Sequence, residues 1–285
     1  MADIRLIQRR IRGVQSIVKI TRAMEMIATS KMRRTQERGV AGRPYSEKIR
    51  QVIADLFAIT RTGEVPHPLL QRRELSRIAI VHITPDRGLC GGLVGNINRS
   101  ASGFIREQKL PANLVCVGRK GSDYMRKTGQ NVQAEFTWLG DNPSFLDTLP
   151  VSRIIIDDYA SGNIDAAYLS YTEFISTLTQ KPVILPILPV EPSDTDSVHT
   201  GDIVYEPSPD VVLGELLPRF VEMQIYTAIL EAIASEQSAR MVAMRNATEN
   251  AAELTEDLTL IYNKARQESI TTELLDITGG VEALS

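Results

Sequence analysis

Sixty consecutive residues, Arg219 to Thr278, contain neither glycine nor proline. At about 1.5 Å of rise per residue, an unbroken helix of that length would extend roughly 90 Å. Ordinary globular helices average about 11–12 residues. A chain of 285 residues cannot bury such a rod along its whole length inside one core. The rod must therefore pair with another part of the chain or with another protein.

The first fifty residues offer a partner. Apolar side chains recur at Ile4, Ile7, Ile11, Val14 and Val18, alternating three and four apart. That alternation is the coiled-coil signature. The pattern then reads as shifting by one residue, to Ile17, Ile20, Met24 and Ile27, which predicts a local break in heptad phase. The helix is expected to run from about Asp3 to Thr60, weakened at Gly39 and Gly42, with Gly63–Pro68 ending it. Charge supports the pairing. Residues 1–50 hold thirteen Lys/Arg against four Asp/Glu, whereas residues 208–285 hold five against thirteen. Opposite ends favour each other, although each surface pair contributes only about 0–1 kcal/mol.

The C-terminal rod begins at Pro209 with an apolar face of Leu213, Leu216, Leu217 and Phe220. Met223, Leu230, Met241, Met244, Leu254, Leu258 and Ile261 are expected to carry the stripe onward. Pro218 is a candidate kink. Gly279 and Gly280 are the expected stop.

Between the two ends the rhythm changes. RIAIVHI (77–83) and NLVCVG (113–118) are short β-rich runs, separated by the helical pattern Leu93, Ile97, Ala101 and Ile105. Ser122–Lys127 suggests a short helix and NVQAEFTWL a further strand. VSRIIIDDY is β-branched, yet Val151, Ile154, Ile155 and Tyr159 keep helical spacing, which favours helix. Ala167–Phe174 and Val183–Val190 read as strands, and 191–202 as a loop. The fold class is thus α/β: a long antiparallel coiled coil of N- and C-terminal helices with an inserted Rossmann-like α/β domain and a mainly parallel sheet. The expected segments are 1–60, 70–205 and 208–285.

Composition excludes several functions. Cys90 and Cys116 form no CxxC, and His67, His82 and His199 form no cluster, so no metal site or disulfide framework is expected. The early charges Asp3 and Arg5 speak against a secretory signal peptide. No apolar run approaches the ~20 residues needed to cross a bilayer.

TPDRGLCGGLVGN (84–96) lies between a strand and a helix, where glycine-rich loops often hold phosphate. It lacks both the P-loop lysine and GxGxxG spacing, so a tight turn requiring glycine is the competing reading. Cys90 there has neither a neighbouring histidine nor a second cysteine to activate it. The basic helix residues Arg9, Arg10, Arg12, Lys19, Arg22, Lys31, Arg33 and Arg34 lack the interleaved aromatics of a nucleic-acid surface. Lys264, Arg266, Gln267, Thr271, Thr272 and Glu273 form a dense polar run near the end of the rod.

Several segments together resemble the γ subunit of F-type ATP synthases, the central-stalk rotor. They are KITRAMEMIATSKMRRTQ (19–36), DRGLCGGL (86–93), YEPSP (205–209), SEQSARMVAMRNATENA (235–251) and YNKARQESITTELLDITGG (262–280). The resemblance covers essentially the whole chain, in the family's order. It implies a shaft entering an α₃β₃ hexamer, with the globular part on the ε subunit and the membrane ring of c subunits. It implies no nucleotide site, cofactor or metal on this chain, no nucleic-acid partner, and membrane contact only through the c-ring. It places Met24 opposite an acidic segment of β, with Arg9, Arg10, Arg33 and Arg34 as neighbouring cations. Arg87 and Cys90 match a loop facing the same region. Arg266, Gln267, Thr271 and Glu273 match the C-terminal cluster that catches a β-subunit loop. Tyr205 matches a position at the foot, near ε and the c-ring. Thr84-Pro85 stands where the family commonly has serine before the Asp-Arg pair. The cysteine-bearing insert of the chloroplast relatives is missing, so thiol regulation is not expected. A peripheral location on the cytoplasmic face of a bacterial membrane is expected, with an organellar membrane as the alternative. Two other readings compete: a nucleotide-binding enzyme using the 86–95 loop, and a free coiled-coil scaffold.

Overall fold

The computed structural model describes residues 2–60, 67–191 and 205–282. Two long helices bound the chain, α1 (Ala2–Thr60) and α5 (Pro209–Glu282). Between them lie β1 (Ile78–Ile83), α2 (Leu93–Gln108), β2 (Ala112–Val117), α3 (Arg119–Lys127), β3 (Asn131–Phe136), α4 (Phe145–Ala160), β4 (Ala166–Phe174) and β5 (Gln180–Leu188). Pro68 opens a short 3-10 turn. Most of the expected 191–202 loop, and Gly63–Pro66 of the expected α1 terminator, lie outside the described residues. The chain forms two compact units, and each long helix contributes to both: residues 1–28 with 240–285, and residues 29–239.

In the larger unit the sheet order is β3-β2-β1-β4-β5. β1 pairs in parallel with β2 and β4, β2 with β3 likewise, and β5 runs antiparallel at the edge. All six residues of the central β1 are buried, which explains why IAIVHI shows no polar alternation. Pro182 and Pro186 cannot donate to a ladder and sit on the edge strand. α4 settles the ambiguous VSRIIIDDY run as helix. Ser144 caps it by accepting the Asp147 N–H, and the Asp147 carboxylate accepts the Ser144 N–H in return. Val151, Ile155 and Tyr159 then face the core while Arg153 points outward.

The sheet is covered on both faces. Ile78, Ile80, Leu114 and Cys116 pack with Ala101, Ile105 and Met125 of α2 and α3. On the other face Ala79, Val81, Val115 and Leu169 meet α4, Ile49, Ile53 and Leu56 of α1, and Leu217, Val221, Ile225 and Ile229 of α5. Each fully buried aliphatic side chain contributes about 1.5–3 kcal/mol. Pro218 lies inside α5 without ending it, and Leu217 beside it is fully buried. The stretch Ser235–Ser238 fixes α5 to β4 and to neighbouring loops by polar contacts. Ser235 donates to the Thr172 carbonyl and Ser238 to that of Thr177, while the Gln237 amide donates to the Asp141 carboxylate.

In the smaller unit the first turns of α1 run antiparallel to the far part of α5. The Thr21 and Thr248 hydroxyls meet at 2.7 Å, and Arg245 pairs with Glu25 at 2.9 Å. Ile4, Ile7, Ile11, Val14 and Val18 are half-buried along the seam, as their spacing requires. Facing positions on α5 are Met241, Met244, Thr248, Ala251, Thr255, Leu258 and Tyr262. The expected phase shift does not occur. The seam continues through Thr21 and Ala28, both buried, whereas Ile17, Ile20 and Ile27 are 50%, 58% and 54% exposed. Threonine and alanine keep the three–four spacing without being strongly apolar, which is why the larger isoleucines misdirect the reading. Leu254 and Ile261 are likewise exposed rather than on the seam. Nor do Gly279 and Gly280 stop the helix, which continues to Glu282. Glycine costs a helix about 1 kcal/mol relative to alanine and does not by itself break it.

Inside the sheet, His82 is fully enclosed. Its Nε2–H donates to Asn98 Oδ1 at 2.8 Å, and the Ser170 hydroxyl, 3.1 Å away, donates to Nδ1. Burial lowers its pKa from the ordinary 6.5 to about 4, with the Asn98 bond opposing weakly. The unfolded chain therefore binds the proton more readily. Stability is complete above pH 6.5 and is lost as pH falls toward 4, by roughly 3 kcal/mol in total at about 1.4 kcal/mol per pH unit. Urea denaturation at about pH 7.5 and about pH 5 should show most of this loss. Equal midpoints at the two pH values would contradict the neutral, buried imidazole.

Candidate partner-contact surfaces

The glycine-rich loop leaves the C-terminal end of β1, with β2 on one side and β4 on the other. Open α/β sheets hold their ligands at such a switch point. Here the position is filled by the chain itself. The buried Thr84 hydroxyl accepts the Gly121 N–H at 2.8 Å and donates to the carbonyls of Val117 and Gly118. Gly118 has φ +93, and a Cβ there would stand 1.8 Å from the Thr84 carbonyl oxygen. A Cβ on Gly121 would stand 2.6 Å from Thr84 Oγ1. These glycines serve close backbone approach. The cavity beside the loop, lined by Thr84, Asp86, Gly118 and Leu139 among others, holds about 50 Å³. Small-molecule sites typically occupy about 300–1,000 Å³. This geometry gives the nucleotide-binding reading no support.

Asp86 is a clasp between loops. Its two carboxylate oxygens accept the Arg119 N–H at 2.9 Å and the Trp138 N–H at 3.0 Å. The Pro85 carbonyl accepts the Lys120 N–H. Three loops are thus tied together by the segment Thr84–Asp86. Arg87 is exposed, with its guanidinium 5.4 Å from the Trp138 ring centroid. Cys90 is buried, with its sulfur turned toward the Arg87 carbonyl. Cys116 lies in the sheet, where burial above all, and Glu135 secondarily, push its thiol up to about 12. Neither cysteine forms a disulfide among the described residues. Trp138 escapes a sequence reading that assigns TWL to a strand. The available signal was that it is the only tryptophan.

The other candidate residues are distributed over both units. In the smaller unit Arg9 and Arg10 are exposed and Met24 is half-buried. In the larger unit Arg33 and Arg34 are exposed, Arg33 pairing with Glu37 one turn on. Arg266, Gln267, Thr271 and Glu273 are all exposed on α5. At about 100° per residue they span a sector of roughly 160° that begins beside the seam and turns away from it. The Thr271 hydroxyl donates to the Gln267 carbonyl. Counting nineteen residues from Thr21 back to Ala2, and nineteen from Thr248 forward, reaches Gln267. Beyond it α5 has no facing α1 residue, and Ile270, Leu274, Leu275 and Ile277 are exposed. Tyr205 packs against the core of the larger unit, and its hydroxyl is enclosed without a hydrogen-bond partner among the described residues.

The seam divides the smaller unit into unlike flanks. Leu6, Ile17, Ile20 and Ile27 lie on one side of α1, with Leu254 and Ile261 of α5 on the same side by heptad position. Arg5, Arg12, Lys19 and Arg22 are exposed on the other flank. Among the described residues no group of three or more metal-ligating side chains assembles, and no helix is long and apolar enough to cross a membrane.

Two substitutions probe the loop. Gly118→Ala must displace the Thr84 backbone and adopt positive φ, and is expected to cost about 3 kcal/mol or more in urea denaturation. Gly103→Ala, with nothing within 4 Å of its added Cβ, should change stability by less than about 1 kcal/mol. Comparable losses in the two variants would contradict the packing account. Asp86→Ala leaves two amides without their acceptor and should cost about 1–3 kcal/mol. Amide exchange at Arg119 and Trp138 is the direct readout, and unchanged protection there would remove the clasp.

The comparisons follow the same pattern. A protein-family profile described as ATP synthase matches residues 3–284. The ATP synthase gamma chain of Dehalococcoides mccartyi (strain CBDB1) is 62% identical over 285 residues, covering 100% of both chains. That of Herpetosiphon aurantiacus is 47% identical over 294 residues, again covering 100% of both. Among solved structures, a chain of the Euglena gracilis mitochondrial ATP synthase OSCP/F1/c-ring assembly in rotational state 3 has a TM-score of 0.67 at 21% identity. The match covers 99% of this chain and 95% of that one. A chain of the Tetrahymena thermophila mitochondrial ATP synthase central stalk and c-ring has a TM-score of 0.63 at 22% identity, covering 80% and 99%. At those identities the two structures show a shared fold.

Proposed function

The chain belongs to the ATP synthase gamma-chain family, and from that premise we propose that it is the central rotor shaft of an F-type, proton-translocating ATP synthase. It carries torque between the membrane c-ring and the catalytic β subunits, driving ATP synthesis, or hydrolysis in reverse. Its partners are the α and β subunits, ε and the c-ring. The observation that carries the reading is the antiparallel seam of the two chain ends, with an α5 tip that faces no α1 residue. A single helix bends easily, and a wound pair resists bending. The exposed apolar tip supplies contact area for an enclosing sleeve without fixing one angular position.

The segments divide the work: 1–60 and 208–285 as the shaft, 70–205 as the α/β body. The subunit is non-catalytic by itself. It lies peripherally at the cytoplasmic face of a bacterial cell membrane, held there through the c-ring. Met24, Arg9, Arg10, Arg33 and Arg34 contact an acidic region of β. Exposure of the four arginines and the apolar flank beside Met24 support that assignment. Arg87, on a loop held in place by Asp86 and carrying the buried Cys90, faces β as well. Arg266, Gln267, Thr271 and Glu273 engage a β loop from the outward sector of α5. Tyr205 belongs to the foot, toward ε and the c-ring. Each proton crossing about 100 mV supplies about 2.3 kcal/mol, and several per catalytic step pass through this element as mechanical work.

Truncation after Asn263 removes the outward cluster and the exposed apolar tip while leaving the larger unit whole. ATP synthesis by the reconstituted complex in energised vesicles is expected to fall several-fold, with the α/β body still folded by circular dichroism. Synthesis at the wild-type rate would reject a role for the tip.

A further inference from the structure

Asp141 joins three parts of the larger unit at one carboxylate. Its Oδ2 accepts from Lys31 Nζ of α1 at 2.6 Å, and its Oδ1 accepts from the Gln237 amide of α5 at 2.9 Å. The residue itself belongs to the loop between β3 and α4. That loop is tied down on either side of it: the Trp138 N–H is bonded to Asp86, and Ser144 caps α4. The carboxylate is therefore presented from a fixed support. Beside it α5 makes further directional bonds. Ser235 donates to the Thr172 carbonyl at 2.9 Å, Ser238 donates to the Thr177 carbonyl at 2.7 Å, and the Gln180 amide donates to the Ser238 hydroxyl at 3.3 Å. Ser235, Gln237 and Ser238 are 0%, 2% and 0% exposed. Polar groups so enclosed have no water to replace a lost partner.

The place of this collar along the helices gives it a mechanical meaning. The larger unit spans 29–239, and Lys31 and Gln237 each lie two residues inside those limits. Across 29–48, Thr35 alone is buried among the described side chains of α1. The core takes up α1 from Ile49 onward. An isolated exposed ion pair stabilises a fold weakly. Lys31–Asp141 differs because its carboxylate is shared with a buried amide and acts where apolar packing does little to restrain α1.

We propose that Asp141 is the torsional anchor of the shaft, a positioning residue that fixes α1 and α5 to the α/β body and to each other at this level. The inference rests on the rotor reading. Apolar burial is non-directional and lets a helix turn against its neighbour. A change in the winding of α1 on α5, or a turn of either helix against the body, must lengthen a bond to Asp141. Torque carried by the helices is then passed along with little twist at this level. The consequence is stiffness more than stability.

The test reads twist directly. The complete α₃β₃γ complex is fixed to glass through the hexamer, and a bead is attached at Lys127→Cys, an exposed position on the α/β body, with the native Cys90 and Cys116 buried. ATP turns the bead if the rotor reading holds. With ATP withdrawn, the variance of the bead angle measures compliance between shaft and body. Asp141→Ala should widen that variance about twofold or more, because both bonds to the carboxylate are lost. Lys31→Met, which leaves the Gln237 bond in place, should widen it less. The exchange Lys31→Asp with Asp141→Lys should restore it, since the Gln237 amide has an oxygen that can accept from the new ammonium. Arg72→Ala, which removes an exposed ion pair with Glu191, should leave it at the wild-type value. A wild-type bead that turns, with unaltered variance in Asp141→Ala, overturns the anchor and leaves the rotor reading standing. Should Asp141→Ala fail to assemble, Lys31→Met decides, and unaltered variance there has the same result. A bead that ATP never turns removes the rotor reading and the anchor together. Widening that appears equally in Arg72→Ala, or that the exchange does not reverse, assigns Asp141 to general stability and overturns the proposal as well.

Discussion

The pairing of α5 with the start of α1 is the constraint on which the rest depends. A helix of 74 residues exposes apolar side chains along its length and cannot hide them within itself. The chain solves this twice. Between Leu213 and Ile233, α5 forms one wall of the core under the sheet. From Met241 onward it meets α1 along a three–four seam. Between those stretches the helix is held by polar contacts from Ser235 to a carbonyl of β4, and from Gln237 and Ser238 to a carboxylate and a carbonyl on nearby loops. Apolar burial is non-directional. Side-chain hydrogen bonds of defined length and angle fix the axial and rotational position of α5, which aliphatic packing alone specifies less tightly.

The seam also decides what is left outside. Once Ile4, Ile7, Ile11, Val14, Val18, Thr21 and Ala28 turn inward, Ile17, Ile20 and Ile27 must turn to one flank and Arg12, Lys19 and Arg22 to the other. A two-helix element with one apolar and one basic side presents different surfaces as it is turned. For a rotor inside a ring of subunits, that inequality lets one axle affect its neighbours differently at each angle.

Much of this was legible in the residues because helical and strand periods differ. The fully apolar β1, the alternate Val151, Ile155 and Tyr159, and the early heptads of α1 could be read from spacing alone. The seam beyond Val18 could not. There threonine and alanine occupy the inward positions, and hydropathy points at the more apolar isoleucines beside them. The end of α5 misled in another way, since two glycines weaken a helix without supplying the left-handed cap that terminates one. At the candidate site, Arg87 and Cys90 could be named from the loop. The clasp by Asp86 and the approach of Trp138 from more than fifty residues away depend on three strand ends meeting, which local pattern does not reveal.

That meeting point explains why so little open space remains at the C-terminal end of β1. The C-terminal edge at the strand-order reversal is where such sheets usually leave a crevice. Here Thr84 is packed against Gly118 and Gly121 so closely that a single added carbon has no room. The carboxylate that might have met a ligand is used on the protein's own amides. With the crevice filled, the same loops are free to direct Arg87, Leu89 and Trp138 outward. The glycine-rich sequence thus keeps the backbone economy of a ligand-binding turn while giving its side chains to solvent, where only another macromolecule is large enough to cover them.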